Sequence, residues 1–166
     1  MGREVRRVPA DWQHPMNGNG QHAPLFDGYN AAVREWDEGA AKWAQGLGSD
    51  YNGGWEPLSE SARGMTYAEW SGGRPKQSDY MPDWPESERT HFMMYESTTE
   101  GTPISPAFAT PEELARWLAD TNASAFADQG ASYEGWLRVC KGGYALSAIG
   151  GPGIGLTSGV EGLKDA

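Results

Sequence analysis

The stretch Thr110–Asn122 constrains the fold more than any other, because both ends and the buried face of a helix can be read from it. Thr110 stands at an N-cap position with Glu113 three residues on. In that capping-box spacing each side chain satisfies the other residue's backbone N–H. Pro111 takes the first helical position, where a missing N–H costs nothing. Glu112 and Glu113 lie at the positive end of the helix dipole. Leu114, Trp117 and Leu118 recur at i, i+3, i+4 and make one apolar face. Asn122 suits the left-handed residue that closes such a helix, so we read its Asn-Ala-Ser sequon as a cap. A helix with one such face needs a partner layer, so the chain must supply a core.

With 166 residues the chain is long enough for one such core. Apolar residues make up only 38%, but eight Trp and seven Tyr compensate with large buried areas. The 23 Gly and 11 Pro predict long, irregular connections. Cys140 is the single cysteine, which excludes an intramolecular disulfide. The N-terminal Arg-Glu-Val-Arg-Arg has no apolar run behind it, and no stretch approaches membrane-spanning length. A cytoplasmic protein in one domain, 1–166, is expected.

A second helix is predicted from an Asp27 cap to about Gly46. Tyr29, Val33, Trp36, Ala40, Trp43 and Leu47 form its apolar stripe, with a Glu38–Lys42 pair on the outside. Gly39 inside it implies a bend or close packing. A third helix starts at Ser132 and carries Tyr133, Trp136, Leu137 and Cys140, before Lys141-Gly142-Gly143 stop it. Glu4–Val8 reads as a short edge strand with Arg3, Arg6 and Arg7 as guards. Thr90–Glu96 reads as a strand covered on both faces, returning through a turn at 97–102 to Pro103–Phe108. Tyr144–Ile149 and Ile154–Thr157 suggest a closing hairpin, with 159–166 a loose tail. The class expected is α+β: about three helices packed on a small, mostly antiparallel sheet, with long ordered loops.

Two of those loops matter most. Asp11–Phe26 carries two Asn-Gly turn signals, with Trp12 and Phe26 as candidate pins. Residues 46–89 form a loop-rich acidic excursion. Its Tyr51, Trp55, Tyr67 and Trp70 are too aromatic for a disordered linker, and long ordered loops are often functional. Within it, Met65–Trp70 suggests one helical turn. The net charge of −10 is concentrated around this excursion. Asp27–Glu100 holds 14 acidic against 6 basic side chains. Such a surface repels nucleic acid and complements a basic partner.

No catalytic constellation stands out. Gly151–Gly155 resembles a nucleotide loop but lacks the Gly-Lys-Ser/Thr end and a following helix. Cys140 completes an apolar helix face, where thiols are inert packing. His14 and His22 could ligate a metal, but no Cys or carboxylate sits at a recognisable ligand spacing. Acidic pairs such as Glu86/Glu88 come without a spacing that demands chemistry. No cofactor, metal or enzyme activity is expected.

Five strings resemble an uncharacterised family of small phage and prophage proteins: REVRRVPADWQHP (3–15), DYMPDWP (79–85), MYESTTEGTPISP (94–106), TPEELARWLAD (110–120) and SYEGWL (132–137). The resemblance brings no catalytic residues. It implies a context, an accessory protein encoded by a mobile element and acting in a bacterial cytoplasm. In that context the expected function is binding and inhibiting a host defence complex, in the manner of anti-CRISPR proteins. The partner would be a host assembly with a basic nucleic-acid-binding surface, with no direct nucleic acid and no membrane. The expected contact residues are Asp50, Tyr51, Trp55, Glu56, Glu60, Glu69, Trp70, Asp79, Asp83, Trp84, Glu86 and Glu88. The alternative is a small phage enzyme or ligand-binding protein with a pocket among Trp12, His14, His22 and His91.

Overall fold

The chain runs β1 (Arg3–Val8), α1 (Tyr29–Ala44), β2 (Leu47–Ser49), β3 (Trp55–Pro57), α2 (Tyr67–Ser71), β4 (His91–Glu96), β5 (Thr102–Pro103), α3 (Pro111–Asp120), α4 (Tyr133–Gly142), β6 (Tyr144–Ala145), β7 (Ala148–Gly151), β8 (Ile154–Ser158) and α5 (Gly159–Gly162). Single 3₁₀ turns lie at Gln77–Asp79 and Glu86–Glu88. The computed structural model describes residues 2–97, 101–146, 148–151 and 154–162. The architecture is α+β, and the chain divides into two compact units, Met1–Leu25 with Trp84–Ala166, and Phe26–Asp83. Among the described residues no helix is long and apolar enough to cross a membrane.

The first unit is built on a four-stranded antiparallel sheet in the order β5-β4-β1-β6. Strand β1 is not the edge strand its charges suggested. It pairs with β4 along its whole length and with β6 at Arg3 and Glu4. Its arginines are not solvent guards either, since Arg3 and Arg6 are buried and only Arg7 is open. They are tolerated inside because each has a carboxylate and a backbone carbonyl as partners. Arg3 donates to the Ser124 carbonyl at 2.8 Å and to Glu96 at 3.1 Å. Arg6 donates to the Leu25 carbonyl at 2.7 Å and to Glu4 at 3.2 Å, and lies over the Tyr95 ring.

Alternation along the strands separates two layers. On one face Met94, with Val5 opposite it, meets the apolar faces of α3 and α4. Leu114, Leu118, Trp136 and Val139 are fully or almost fully buried there. Each such side chain contributes about 1.5–3 kcal/mol of burial. On the other face Met93 and Tyr95 are covered by the Asp11–Leu25 loop, through Trp12, His14 and Leu25. Trp12 pins that loop as expected. Phe26 does not, because it is exposed and packs on Tyr80 in the other unit.

Both predicted helix starts in this unit are present. Thr110 and Glu113 close a capping box, and the Ser132 hydroxyl accepts from the Gly135 N–H at 3.1 Å. Asn122 has φ 51° and ends α3 as expected. Gly101 (φ +54°) is required where the chain crosses Leu25, since a Cβ there would lie 2.2 Å from the Leu25 carbonyl oxygen. Residues 98–100 of the predicted turn, and 152–153 of the glycine loop, lie outside the described residues. The closing hairpin divides: Tyr144–Ala145 joins the main sheet while β7 pairs with β8. The loose tail is corrected over Gly159–Gly162. That segment is a helical turn capped by the Ser158 hydroxyl, which accepts from the Glu161 N–H at 3.2 Å, and Val160 is fully buried in the core. Residues 163–166 lie outside the described residues.

The second unit holds α1, the β2–β3 hairpin and α2. Helix α1 starts at Gly28 (φ 77°) rather than at an Asp27 cap, because the Asp27 carboxylate turns onto the Gly28 N–H at 2.8 Å. The stripe of α1 is only half-buried. Tyr67 from α2 lies between Trp36 and Trp43, and Trp70 stacks on Trp43 at 5.5 Å. The indole N–H groups of Trp36 and Trp43 donate to the Gly72 and Met65 carbonyls. Gly39 is the point of closest approach, since a Cβ there would lie 2.0 Å from the Tyr67 hydroxyl. The close packing that this glycine implied is therefore the seat of Tyr67.

Candidate functional site

Among the described residues the β2–β3 hairpin carries the most exposed aromatic, Tyr51, and the partly open Trp55. Asp50 builds its turn: one carboxylate oxygen accepts from the Asn52 N–H at 2.8 Å and the Gly54 N–H at 2.6 Å. That turn holds Tyr51 fully in solvent, at 102% relative exposure. Trp55 is exposed on β3 beside the Lys42 ammonium, 5.7 Å from its ring centre. Lys42 thus serves Trp55, and the Glu38–Lys42 ion pair is not formed. Glu56 and Glu60 are exposed and carry no hydrogen bond or ion pair among the described residues.

Helix α2 supplies Glu69 and Trp70. Glu69 is tied into a capping box, accepting from the Thr66 N–H at 2.7 Å and hydroxyl at 2.8 Å. Those bonds, the backbone one first, hold its carboxyl below the usual range. Trp70 is half in solvent, with its other side on Trp43. Asp79 accepts from Ser78, and Asp83 from the Asn30 side-chain amide at 2.8 Å. Arg74 clamps Asp37 through two 2.8 Å bonds, which lowers the Asp37 pKa.

The remaining three expected contact residues belong to the other unit. Trp84 is half-buried, edge-on to Trp12 at 4.7 Å, so it is a packing residue as much as a surface one. Glu86 pairs with Arg7, and Glu88 is exposed. Of the twelve, the hairpin and α2 group Tyr51, Trp55, Glu56 and Trp70 within one unit as side chains open to a partner.

The chain matches no family model, no curated protein and no solved structure.

Trp12, His14 and His22 do come together, as the alternative reading required. His14 Nε2 lies 2.6 Å from the Ala23 carbonyl oxygen, which can only accept, so Nε2 carries the proton. Nδ1 then accepts from the Tyr95 hydroxyl at 3.0 Å, and that hydroxyl accepts from the Trp12 indole at 3.1 Å. The imidazole is buried, neutral and satisfied at both nitrogens. Burial is the main cause of its lowered pKa, with His22 and Arg6 adding repulsion against the Ala23 bond. His22 is exposed, and His91 bonds Thr90 instead. Among the described residues no group of three His, Cys, Asp or Glu side chains could hold a metal. Cys140 is buried, and burial first, then the Glu112 charge, push its thiol up to about 12. A thiol so placed stays protonated at neutral pH and is a poor nucleophile.

The aromatic spacing alone did not reveal two features. Trp36 and Trp43 read as core by periodicity, yet stay half-exposed, because the side chains that pack on their rings, Tyr67 and Trp70, come from the single short helix α2. Clefts also flank Trp117 in the first unit, walled by residues far apart in sequence.

Proposed function

We propose that this is an accessory protein of phage or prophage origin that works by contact. Its Phe26–Asp83 unit docks on a host defence complex and competes for a basic surface meant for nucleic acid. The observation that carries the reading is the hairpin that holds Tyr51 in solvent and Trp55 partly open, near Glu56 and Glu60, whose carboxylates have no partner among the described residues. Exposed aromatics of this kind resemble the anchors that dominate protein interfaces. The unit carries ten acidic side chains against five basic ones, so the approach to a basic groove would be steered by charge. Carboxylates at the rim would take the place of phosphates, and the aromatics would supply the desolvated centre.

The anti-CRISPR role follows from the phage context and this surface together. Its test is a competition experiment: guide-loaded CRISPR effectors from several types are mixed with labelled target DNA and titrated with the protein. Loss of DNA binding by at least one effector at micromolar protein is expected, weakening as salt rises. Unchanged DNA binding and cleavage across the set would contradict the proposal.

A further inference from the structure

The first unit carries a second surface that the contact reading does not use. Three clefts adjoin one another along β5 and the segment that leads into α3. The largest, about 550 Å³, lies between α3 and α4, with Phe108, Trp117 and Tyr133 as its apolar walls. Trp117 also walls a cleft of about 340 Å³ with Pro103, Ile104 and Pro106. His22 closes that cleft and opens the next, of about 270 Å³, beside Asn17, Pro24 and Thr102. The row is long and shallow, as suits a chain segment rather than a compact small molecule.

Its chemistry selects the occupant. Strand addition along β5 is blocked, because Pro103 has no N–H and the Ile104 N–H already donates to Met94. A segment lying there must therefore bind through its side chains. Aromatic and proline walls suit an extended polyproline-type ligand, which loses little entropy on binding. The largest cleft also carries Glu112, Glu113 and Asp120 against Arg116 alone. Glu112 is occupied by Lys141 at 2.8 Å, and one oxygen of Glu113 by the Thr110 N–H. Asp120 makes no hydrogen bond or ion pair among the described residues. Arg116 sits 3.9 Å above the Tyr133 ring, marking that face as a seat for a guanidinium.

We infer that this row of clefts binds an extended, proline-rich, arginine-bearing segment of a partner protein. Prolines would lie against Trp117 and Phe108, and a ligand arginine would reach Asp120 and compete with Arg116 for Tyr133. The inference does not depend on the contact reading of the Phe26–Asp83 unit.

The probe is a fluorescein-labelled nonapeptide alternating Arg and Pro, compared by anisotropy with the same peptide carrying Glu for Arg. Saturable binding of the Arg peptide alone is expected. Asp120→Lys should weaken it about fivefold or more, the scale of one partly screened charge contact. Arg116→Gln should tighten it about two- to threefold by freeing the Tyr133 face. Glu35→Lys makes the same charge change in the other unit, outside its expected contact surface, and should leave affinity within about twofold. The proposal is overturned if both peptides bind alike, if neither saturates, or if Glu35→Lys weakens binding as much as Asp120→Lys. The last result would mean attraction to net charge alone.

Discussion

The two units of this chain spend their aromatic residues in opposite ways. In the first, Trp136 and Tyr95 are fully buried, and Trp12 and Trp84 close the layer over the sheet. In the second, Trp36, Trp43, Tyr67 and Trp70 form a half-open ladder, and the buried apolar side chains are only Ala62 and Met81. The first unit has two packed layers around a sheet, which is what gives a small domain its stability. The second relies on helix caps, turn carboxylates and ring contacts, each worth about 0.5–2 kcal/mol. Stability should therefore reside mainly in the first unit, and surface for recognition mainly in the second.

That contrast can be broken by substitution. Trp136→Ala should have the largest effect, about 3–5 kcal/mol lost in urea unfolding, because it empties the centre of the core. Arg3→Met should cost about 3 kcal/mol by leaving Glu96 poorly paired. The double variant Arg3→Met/Glu96→Leu should recover much of that loss; no recovery would mean that the Ser124 bonds matter more than the ion pair.

In the second unit, Gly39→Ala should destabilise by about 1–3 kcal/mol through the clash with Tyr67. Adding Tyr67→Phe, which removes the atom nearest the new Cβ and keeps the ring on Trp36 and Trp43, should recover part of that loss in urea unfolding. The pH dependence belongs to the first unit. His14 is held neutral, with its folded pKa below the ordinary 6.5. Its contribution is therefore intact above that value, declines as pH falls below it, and stops declining beneath the depressed folded value. Melting temperature measured from pH 7.5 to pH 5 should fall more for the wild type than for His14→Gln. Least of all, Tyr51→Ser should change stability by no more than about 0.5 kcal/mol, since nothing packs on that ring.

The same contrast explains what could be read in advance. Signals local in sequence survived folding: the capping box of α3, the Ser132 cap, the left-handed Asn122 and the stripe of α4. Most of what failed depended on distant partners; the Asp27 cap, lost to the neighbouring Gly28 N–H, is the local exception. A strand rich in arginine looks like an edge until Glu96, Ser124 and Leu25 are placed around it. An apolar stripe on α1 looks like core until its tryptophans prove to be covered by the short helix α2 on one side and open on the other. The acidic and aromatic content of the candidate site was legible. The division of labour within it was not, because an Asp50 that builds a turn and a Glu56 that faces solvent are indistinguishable by composition.

The most direct test is a paired comparison of wild type and a Tyr51→Ser/Trp55→Ser/Glu56→Gln variant against whichever effector the wild type inhibits. If the protein acts through this surface, inhibition falls at least tenfold, about 1.4 kcal/mol, while the melting temperature stays close to that of the wild type. Full inhibition by the variant with its fold intact would contradict it.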